Sequence, residues 1–457
     1  MTQSGERKVS PTSLHDAASP RVAALLDAIP DAALLIDRDR RVLATNRKFR
    51  SIFGEKGETH GRHCYELCHY LDQPCDMTPE VCPLDRCLVT RDRVKTLHVH
   101  ASQEGDVHTE VIMRPLFDDH GEPDSFLEVL RPIRVASARP SRDRLVGRSP
   151  AFNSMLQNLE RIARTDKPVL IVGEGGTGKE SVARAVHESS PRSSGPIVPV
   201  DCQALREWQF ERELFGHDVG AFPGAETARP GLVGAATGGT LFLREVETLT
   251  HAVQVRLLRL LDSGRYLPEG ANHTLQADFR LICSSQQDLK DLVARGMFRE
   301  DLRLRIGSFP LDIPPLRDRL EDIPILTESL LRRLSCAPSC REAAPAALEL
   351  LQAYDFPGNI RELTHLLERA CMNAEGSLIL PEHLPDECRR PARPDQASLL
   401  FDGTVVALEE AESRYIAWAR HNTDCSQREL ARRLGISERT LYRRLGEIAS
   451  QPAKESH

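Results

Sequence analysis

Val169-Leu170-Ile171-Val172-Gly173-Glu174-Gly175-Gly176-Thr177-Gly178-Lys179-Glu180 decides how this chain is read. The four leading apolar residues predict a buried strand, and a helix is expected over Lys179–Glu188. The glycines between them let backbone N–H groups converge on phosphate oxygens, and the helix N-terminus adds positive potential. Lys179 is placed to reach the β and γ phosphates of a nucleotide, which makes Gly173 to Glu180 the candidate ATP-binding loop. Glu180 follows the lysine where a magnesium-binding Ser or Thr usually stands.

Further along, Thr240-Leu241-Phe242-Leu243 predicts a second buried strand, and it runs into Arg244-Glu245. A strand ending in Asp-Glu would complete a magnesium-dependent hydrolase. Arg244 cannot ligate a cation and repels one, although it can neutralise phosphate charge. Nucleotide binding is therefore expected, with magnesium in doubt. Ile197–Val200 and Phe279–Cys283 are further strand candidates, and helices dominate from about residue 320. That alternation implies a parallel sheet flanked by helices, followed by a small helical lid.

At 457 residues, 40% hydrophobic and 28% charged, the chain has the composition of about three folded domains. A net charge of −7 excludes a chain that coats nucleic acid throughout, but not a locally basic module. No apolar run approaches the ~18 residues of a membrane span, and the first residues have no secretory apolar core, so no membrane contact and a cytoplasmic address are expected. Residues 136–144 (ASARPSRDR) and 386–403 read as linkers. They mark out a first domain over 15–135, an α/β subdomain over 145–315, the lid over 316–385, and a helical domain over 404–450.

Before the first linker, strands are expected at 32–37, 41–46, 94–101, 107–117 and 125–133, with a helix at 46–53 and a hairpin turn at 118–121. This segment resembles a PAS sensor domain, most closely in "aIPDaaLLIDrdrRVLatNrkF". Residues 145–385 resemble the AAA+ domain of the sigma-54-dependent transcriptional activators, the bacterial enhancer-binding proteins. "GEGGTGKE" (173–180) is similar to that family's GESGTGKE, and "ELFGHDVGAFPGA" (213–225) to its ELFGHxxGAFTGA. "GMFREDLRLRI" (296–306), "LDIPPLRDRLEDIP" (311–324) and "FPGNIRELTHLLERA" (356–370) resemble its arginine-finger, lid-entrance and sensor II segments.

The resemblance implies roles for single residues. Glu245 stands as the catalytic glutamate, Arg299 and Arg305 as fingers reaching a neighbouring subunit's nucleotide, and Arg361 as the sensor II arginine. Fingers of this kind act in a ring, so assembly from homodimer to homohexamer is implied. Gly220, Ala221, Phe222, Pro223, Gly224 and Ala225 match the loop that engages sigma-54 within the RNA polymerase holoenzyme. Four positions depart from the pattern. Arg244 replaces the metal-holding aspartate, Asp201 the asparagine that restrains the catalytic glutamate, Gln286 the sensor I asparagine, and Pro223 the threonine of GAFTGA. Proline offers neither hydroxyl nor N–H.

Near the end, "CSQRELARRLGISERTLYRRLGEI" predicts two helices about Gly435, preceded by a helix over Leu408–His421. Six arginines against two glutamates between 428 and 444 give it a local excess of four positive charges. It reads as a helix-turn-helix and resembles the Fis-type domain of the same activators. Ser437, Glu438, Arg439 and Thr440 would face base edges, with Tyr442, Arg443 and Arg444 near phosphates. Because Fis-type units dimerise, a palindromic DNA enhancer or operator is expected.

Of twelve cysteines, five crowd into Cys64 to Cys87 together with His63 and His69. Cys64, Cys68, Cys75 and Cys82 are the candidate ligands for a metal or iron–sulfur cluster. Their spacing matches no standard zinc finger, and a thiol redox switch or plain packing stays open.

The expected fold class is therefore multidomain α+β and α/β: a PAS sensor, a P-loop parallel sheet with helical lid, and an all-α helix-turn-helix. The expected function is an ATP-binding, DNA-binding regulator whose hydrolysis and sigma-54 coupling are impaired. Two other readings stay open: a fully active remodelling ATPase with compensated substitutions, and a sigma-54-independent regulator using ATP only for assembly.

Overall fold

The computed structural model describes residues 20–53, 59–75, 82–102, 105–203, 207–334, 342–374, 376–389, 408–421 and 427–450. The chain divides into two compact units, Met1–Arg389 and Arg390–His457.

The first unit begins with a five-stranded antiparallel sheet. Its strands are β1 (Ala32–Asp37), β2 (Val42–Thr45), β3 (Val94–Ser102), β4 (Gly105–Phe117) and β5 (Pro123–Pro132), in the order β2-β1-β5-β4-β3. β1 is apolar throughout because both of its faces are covered. Ala32, Leu34 and Ile36 pack with Phe49, Leu67 and Met113, while Ala33 and Leu35 pack with Leu26. Asn46 ties this corner together. Its side chain accepts from Ala33 N and Phe49 N and donates to Asp31 O at 2.8 Å, so a buried amide is satisfied at both ends.

The segment read as a free linker, 136–144, is in part packed. Ala136–Ser137 pairs in parallel with Leu145–Val146, and Ala136 and Ala138 are buried. Small alanines that resemble linker composition are also what a close backbone approach requires. His108 of β4 adds a hydrogen bond from its ring Nε2 to Gly147 O at 2.8 Å. The antiparallel sheet is thus in contact with the start of the α/β subdomain through these two pairings.

The α/β sheet is parallel, with β6 (Val169–Val172), β7 (Ile197–Asp201), β8 (Thr240–Arg244), β9 (Arg280–Ser285) and β10 (Pro310–Asp312) in the order β10-β6-β9-β8-β7. Alternate residues of β8 serve opposite cores: Leu241 and Leu243 on one side, Phe242 on the other. Arg280 is the largest fully buried side chain among the described residues. Its guanidinium caps the C-terminal end of the helix Pro150–Ala163, donating to Ile162 O and Ala163 O at 2.9 Å each. Arg280→Leu strands these carbonyls and is expected to cost about 3 kcal/mol. An unaltered thermal transition of the variant would contradict that role.

The helices Ile323–Leu331, Pro345–Gln352 and Asn359–Asn373 form the lid around its own core. The second linker begins as a helical turn, Asp386–Arg389. Residues 390–403, and the cysteines Cys336 and Cys340, lie outside the described residues. Among the described residues, no helix is long and apolar enough to cross a membrane.

The second unit contains the helices Leu408–His421, Gln427–Arg433 and Glu438–Ser450. Ile416, Ala419, Leu430, Ala431 and Leu441 form its core. Gly435 takes φ 70° between the last two helices, a conformation that favours glycine. Ser437 Oγ then accepts from Thr440 N at 3.1 Å and caps the final helix.

Candidate nucleotide site

β6 delivers the chain into a loop whose shape depends on Gly176 and Gly178, at φ 78° and 96°. A Cβ on Gly176 would lie 2.2 Å from Gly358 O, so only glycine lets the lid come this close. The contact is reinforced by Arg361 N donating to Gly176 O at 3.3 Å. Asn359, itself at φ 54°, donates to Gly175 O at 3.1 Å and Glu174 Oε2 at 3.0 Å. Arg317 grips the same carboxylate through two bonds of 2.6 and 2.9 Å.

Arg317, then Asn359, pull the Glu174 carboxyl down to about 2. Its folded value lies below the unfolded one, so the clamp is complete above ~4.3 and weakens as pH falls toward about 2. The Glu174 side chain is thus committed to the lid and contributes its carbonyl, not its carboxylate, to the loop. Lys179 Nζ donates to Glu174 O and Gly173 O at 2.8 Å each, with its pKa lowered chiefly by burial.

A cavity of about 450 Å³ opens beside the loop, a size that suits a nucleotide. Gly176, Thr177, Gly178, Lys179 and Glu180 line it from one side, with Arg244, Glu245, Gln286 and Arg361 opposite. Gly173, Glu174 and Gly175 stand outside that lining. Arg144, Arg319 and Arg333 also face the cavity, and the sequence reading missed all three. Arg319 is buried and its Nε has no hydrogen-bond partner. Its only signal is a charge within the lid-entrance segment.

Arg244 ends β8 in register with Asp201 of β7. Its guanidinium lies 3.4 Å from the Asp201 carboxylate and 3.7 Å from that of Glu180. One cation therefore bridges two carboxylates at the strand end. Magnesium needs oxygen ligands in near-octahedral array, commonly with one or two carboxylates. The residues present do not fit it: a fixed positive charge takes the place of a ligand and neutralises the nearest acids.

Glu245 follows in the left-handed region, φ 56° and ψ 54°, a strained backbone of the kind held at functional sites. Its carboxylate accepts from Gln286 Nε2 at 2.7 Å, and Gln286 N donates to Glu247 Oε1 at 2.8 Å. Gln286 thus holds the glutamate, whereas Asp201, standing at the position expected to restrain it, pairs with Arg244. No spacing in the sequence announces that contact. It arises because β8 and β9 are neighbours.

Arg299 and Arg305 do not line this chain's cavity. Arg299 pairs with Asp301 at 2.6 Å, and Arg305 donates to Leu261 O at 2.7 Å beside Asp262. Both lie toward the surface. The loop Gly220–Ala225 forms a turn closed by Ala225 N to Phe222 O at 3.0 Å, with Gly224 at φ 97°. Proline second and a positive-φ glycine third are the requirements of a type II turn. Phe222 is clamped below, its ring centroid 3.8 Å from the Arg212 guanidinium and 4.9 Å from the His217 ring.

In the second unit, Glu438, Arg439 and Arg443 are exposed, and Glu438 lies 3.4 Å from Arg428. Arg444 instead turns back to Glu412 at 2.9 Å and ties the last helix to the first. The Tyr442 side chain lies outside the described residues.

Three family models match: the Sigma-54 interaction domain over residues 145–312, the AAA+ ATPase lid domain over 317–399, and the PAS fold over 26–138. The transcriptional regulatory protein ZraR of Klebsiella oxytoca is 43% identical over 305 residues, covering 66% of this chain and 68% of that protein. The response regulator protein PilR of Pseudomonas aeruginosa is 39% identical over 318 residues, covering 68% and 71%. Among solved structures, NtrX from Brucella abortus aligns with a TM-score of 0.50 and 30% identity over 66% of this chain and 69% of that one. The phosphate loop, the lid docked upon it and these relatives agree: the chain belongs to the sigma-54-dependent transcriptional regulators, with a PAS domain joined to a nucleotide-binding AAA+ core.

Proposed function

We propose that this regulator binds ATP but hydrolyses it feebly or not at all, and that its grip on sigma-54 is weakened. The bridge from Arg244 to Asp201 and Glu180 carries the proposal. The loop, Lys179 and Arg361 retain what positions phosphates, and Arg244 adds a guanidinium able to meet them. What the site lacks is the carboxylate arrangement for a divalent cation, and its glutamate is already engaged by Gln286. Purified protein is expected to bind ATP while turning it over far below the enzymatic median of roughly 10 per second. Turnover at that median would sink the proposal.

The remaining parts fit a regulator. Arg299 and Arg305 lie near the surface and away from their own nucleotide, which suits fingers offered to a neighbouring subunit in a homodimer or homohexamer. The type II turn at Pro223 presents a rigid tip without a hydroxyl, so contact with the sigma-54 holoenzyme is weakened. The three-helix unit is read as a Fis-type helix-turn-helix that binds a palindromic DNA site through Ser437, Glu438, Arg439, Thr440, Tyr442 and Arg443. Arg444, tied to Glu412, serves that fold more than a phosphate. Arg439→Ala is expected to lower affinity for the cognate site by about 1–3 kcal/mol, roughly 5- to 150-fold. A gel-shift titration at fixed salt measures it, and equal affinity would remove Arg439 from the interface.

A further inference from the structure

A group of side chains inside the PAS core plays no part in the nucleotide site. His69, Cys75 and His98 each bring one donor atom to within 4.8 Å of the others. Chain folding assembles them: His69 caps the short helix Cys64–Cys68, Cys75 lies in the turn beyond it, and His98 comes from β3. The thiols of Cys75 and Cys82 are hydrogen-bonded to each other. Cys64, Cys68 and Glu128 complete the wall of a cavity of about 10 Å³. That volume suits one water or one ion.

Two further atoms in this core lack hydrogen-bond partners. Glu128 of β5 is 5% exposed and lines the cavity, yet its Oε2 has none. His100 is 1% exposed with its Nδ1 in the same condition, its ring 4.4 Å from that of His69. Orphaned polar atoms at such depth are rare in folded proteins. They mark this core as built to hold a polar or charged guest, although neither residue is itself a member of the ligand group.

We propose that the PAS core binds one borderline-soft divalent transition-metal ion of the zinc class through His69, Cys75 and His98, with Cys82 closing the fourth position. Two imidazoles and two thiolates are a donor set for zinc in tetrahedral geometry, and select against magnesium or calcium. Ligands around such an ion stand about 3.5 Å apart, so His69, Cys75 and His98 close by roughly 1 Å through side-chain rotation, while the Cys82 thiol, outside that group but bonded to Cys75, swings in to complete it. Each thiol exchanges its proton for a metal–sulfur bond, and the protons pass to solvent. Of the four cysteines singled out by spacing, Cys64 and Cys68 become wall residues, and two histidines take their place. The site also has a route outward. Leu97, next to His98 on β3, packs against a core that joins Ile133 of the PAS domain to Phe152 of the α/β subdomain.

The test uses the full chain, stripped with a chelator and titrated with Zn2+ by equilibrium dialysis, then with Co2+ read by its thiolate charge-transfer absorption. One ion per chain and a cobalt thiolate band are expected. His98→Ala and Cys75→Ser should each weaken binding more than about 100-fold, and the band should weaken or vanish in Cys75→Ser. Cys87→Ser is the control, since that thiol donates to Asp92 O away from the group; it should bind as the parent does. His69→Gln repeats the measurement should Cys75→Ser fail to fold. Absence of bound ion, binding indifferent to these variants, or a Cys75–Cys82 disulfide formed in metal-free protein that never takes up zinc would overturn the proposal.

Discussion

Arg244→Asp alone is expected to leave ATP turnover as low as in the parent protein. The guanidinium now neutralises two carboxylates, 3.4 and 3.7 Å away. Replacing it with a third acid removes that neutralisation and sets three like charges around one point. Like charges at such range raise one another's pKa values or force the side chains apart, so the site is disordered before any cation arrives. Adding Asp201→Asn relieves the crowding and returns an amide to the position from which the family restrains its glutamate. The double variant should gain about 100-fold or more in turnover, dependent on added magnesium, since a bound metal contributes several kcal/mol to phosphoryl transfer. Steady-state phosphate release with and without magnesium decides the matter. Full activity from Arg244→Asp alone would show that the departures are independent drift and not one linked change.

That linkage was only half legible in the sequence. The Asp201–Arg244 pairing could be suspected from the two substitutions, because adjacent parallel strands bring their C-terminal ends together. The bond from Gln286 to Glu245 could not, since it depends on where a side chain points after β9 ends. The apolar run Val169–Val172 marks its strand to the residue, whereas the strands expected at Thr240–Leu243 and Ile197–Val200 each run one residue further, into Arg244 and Asp201. β10 was missed: Pro310-Leu311-Asp312 has one apolar residue of three, and it pairs on one side only, where proline is tolerated. The packed alanines at 136 and 138 looked like linker, because small residues serve both loose and very tight segments. In the PAS core, spacing along the chain drew attention to thiols. The antiparallel sheet added His98, which is distant in sequence and invisible to any local motif.

Lys179→Ala should reduce ATP affinity by roughly 100-fold while leaving the C-terminal three-helix unit folded. The ammonium is held by Gly173 O and Glu174 O, both at 2.8 Å, on the cavity wall. Its removal deletes charge-assisted bonds to phosphate worth about 1.5–3 kcal/mol, and no other lysine lines that cavity. Calorimetric titration with ATP measures the loss. The same variant separates two uses of the nucleotide. If ATP serves assembly in a protein that scarcely hydrolyses it, sedimentation should show the parent gaining mass on addition of ATP and Lys179→Ala failing to do so at equal concentration. Affinity for a single DNA half-site should be unchanged, because the residues proposed to contact DNA belong to a separate unit with its own core. Cooperative occupation of paired sites should fall with the assembly. A parent protein whose mass and DNA cooperativity ignore ATP would overturn assembly as the use of the nucleotide, and a calorimetric titration showing no ATP binding would overturn retained binding itself.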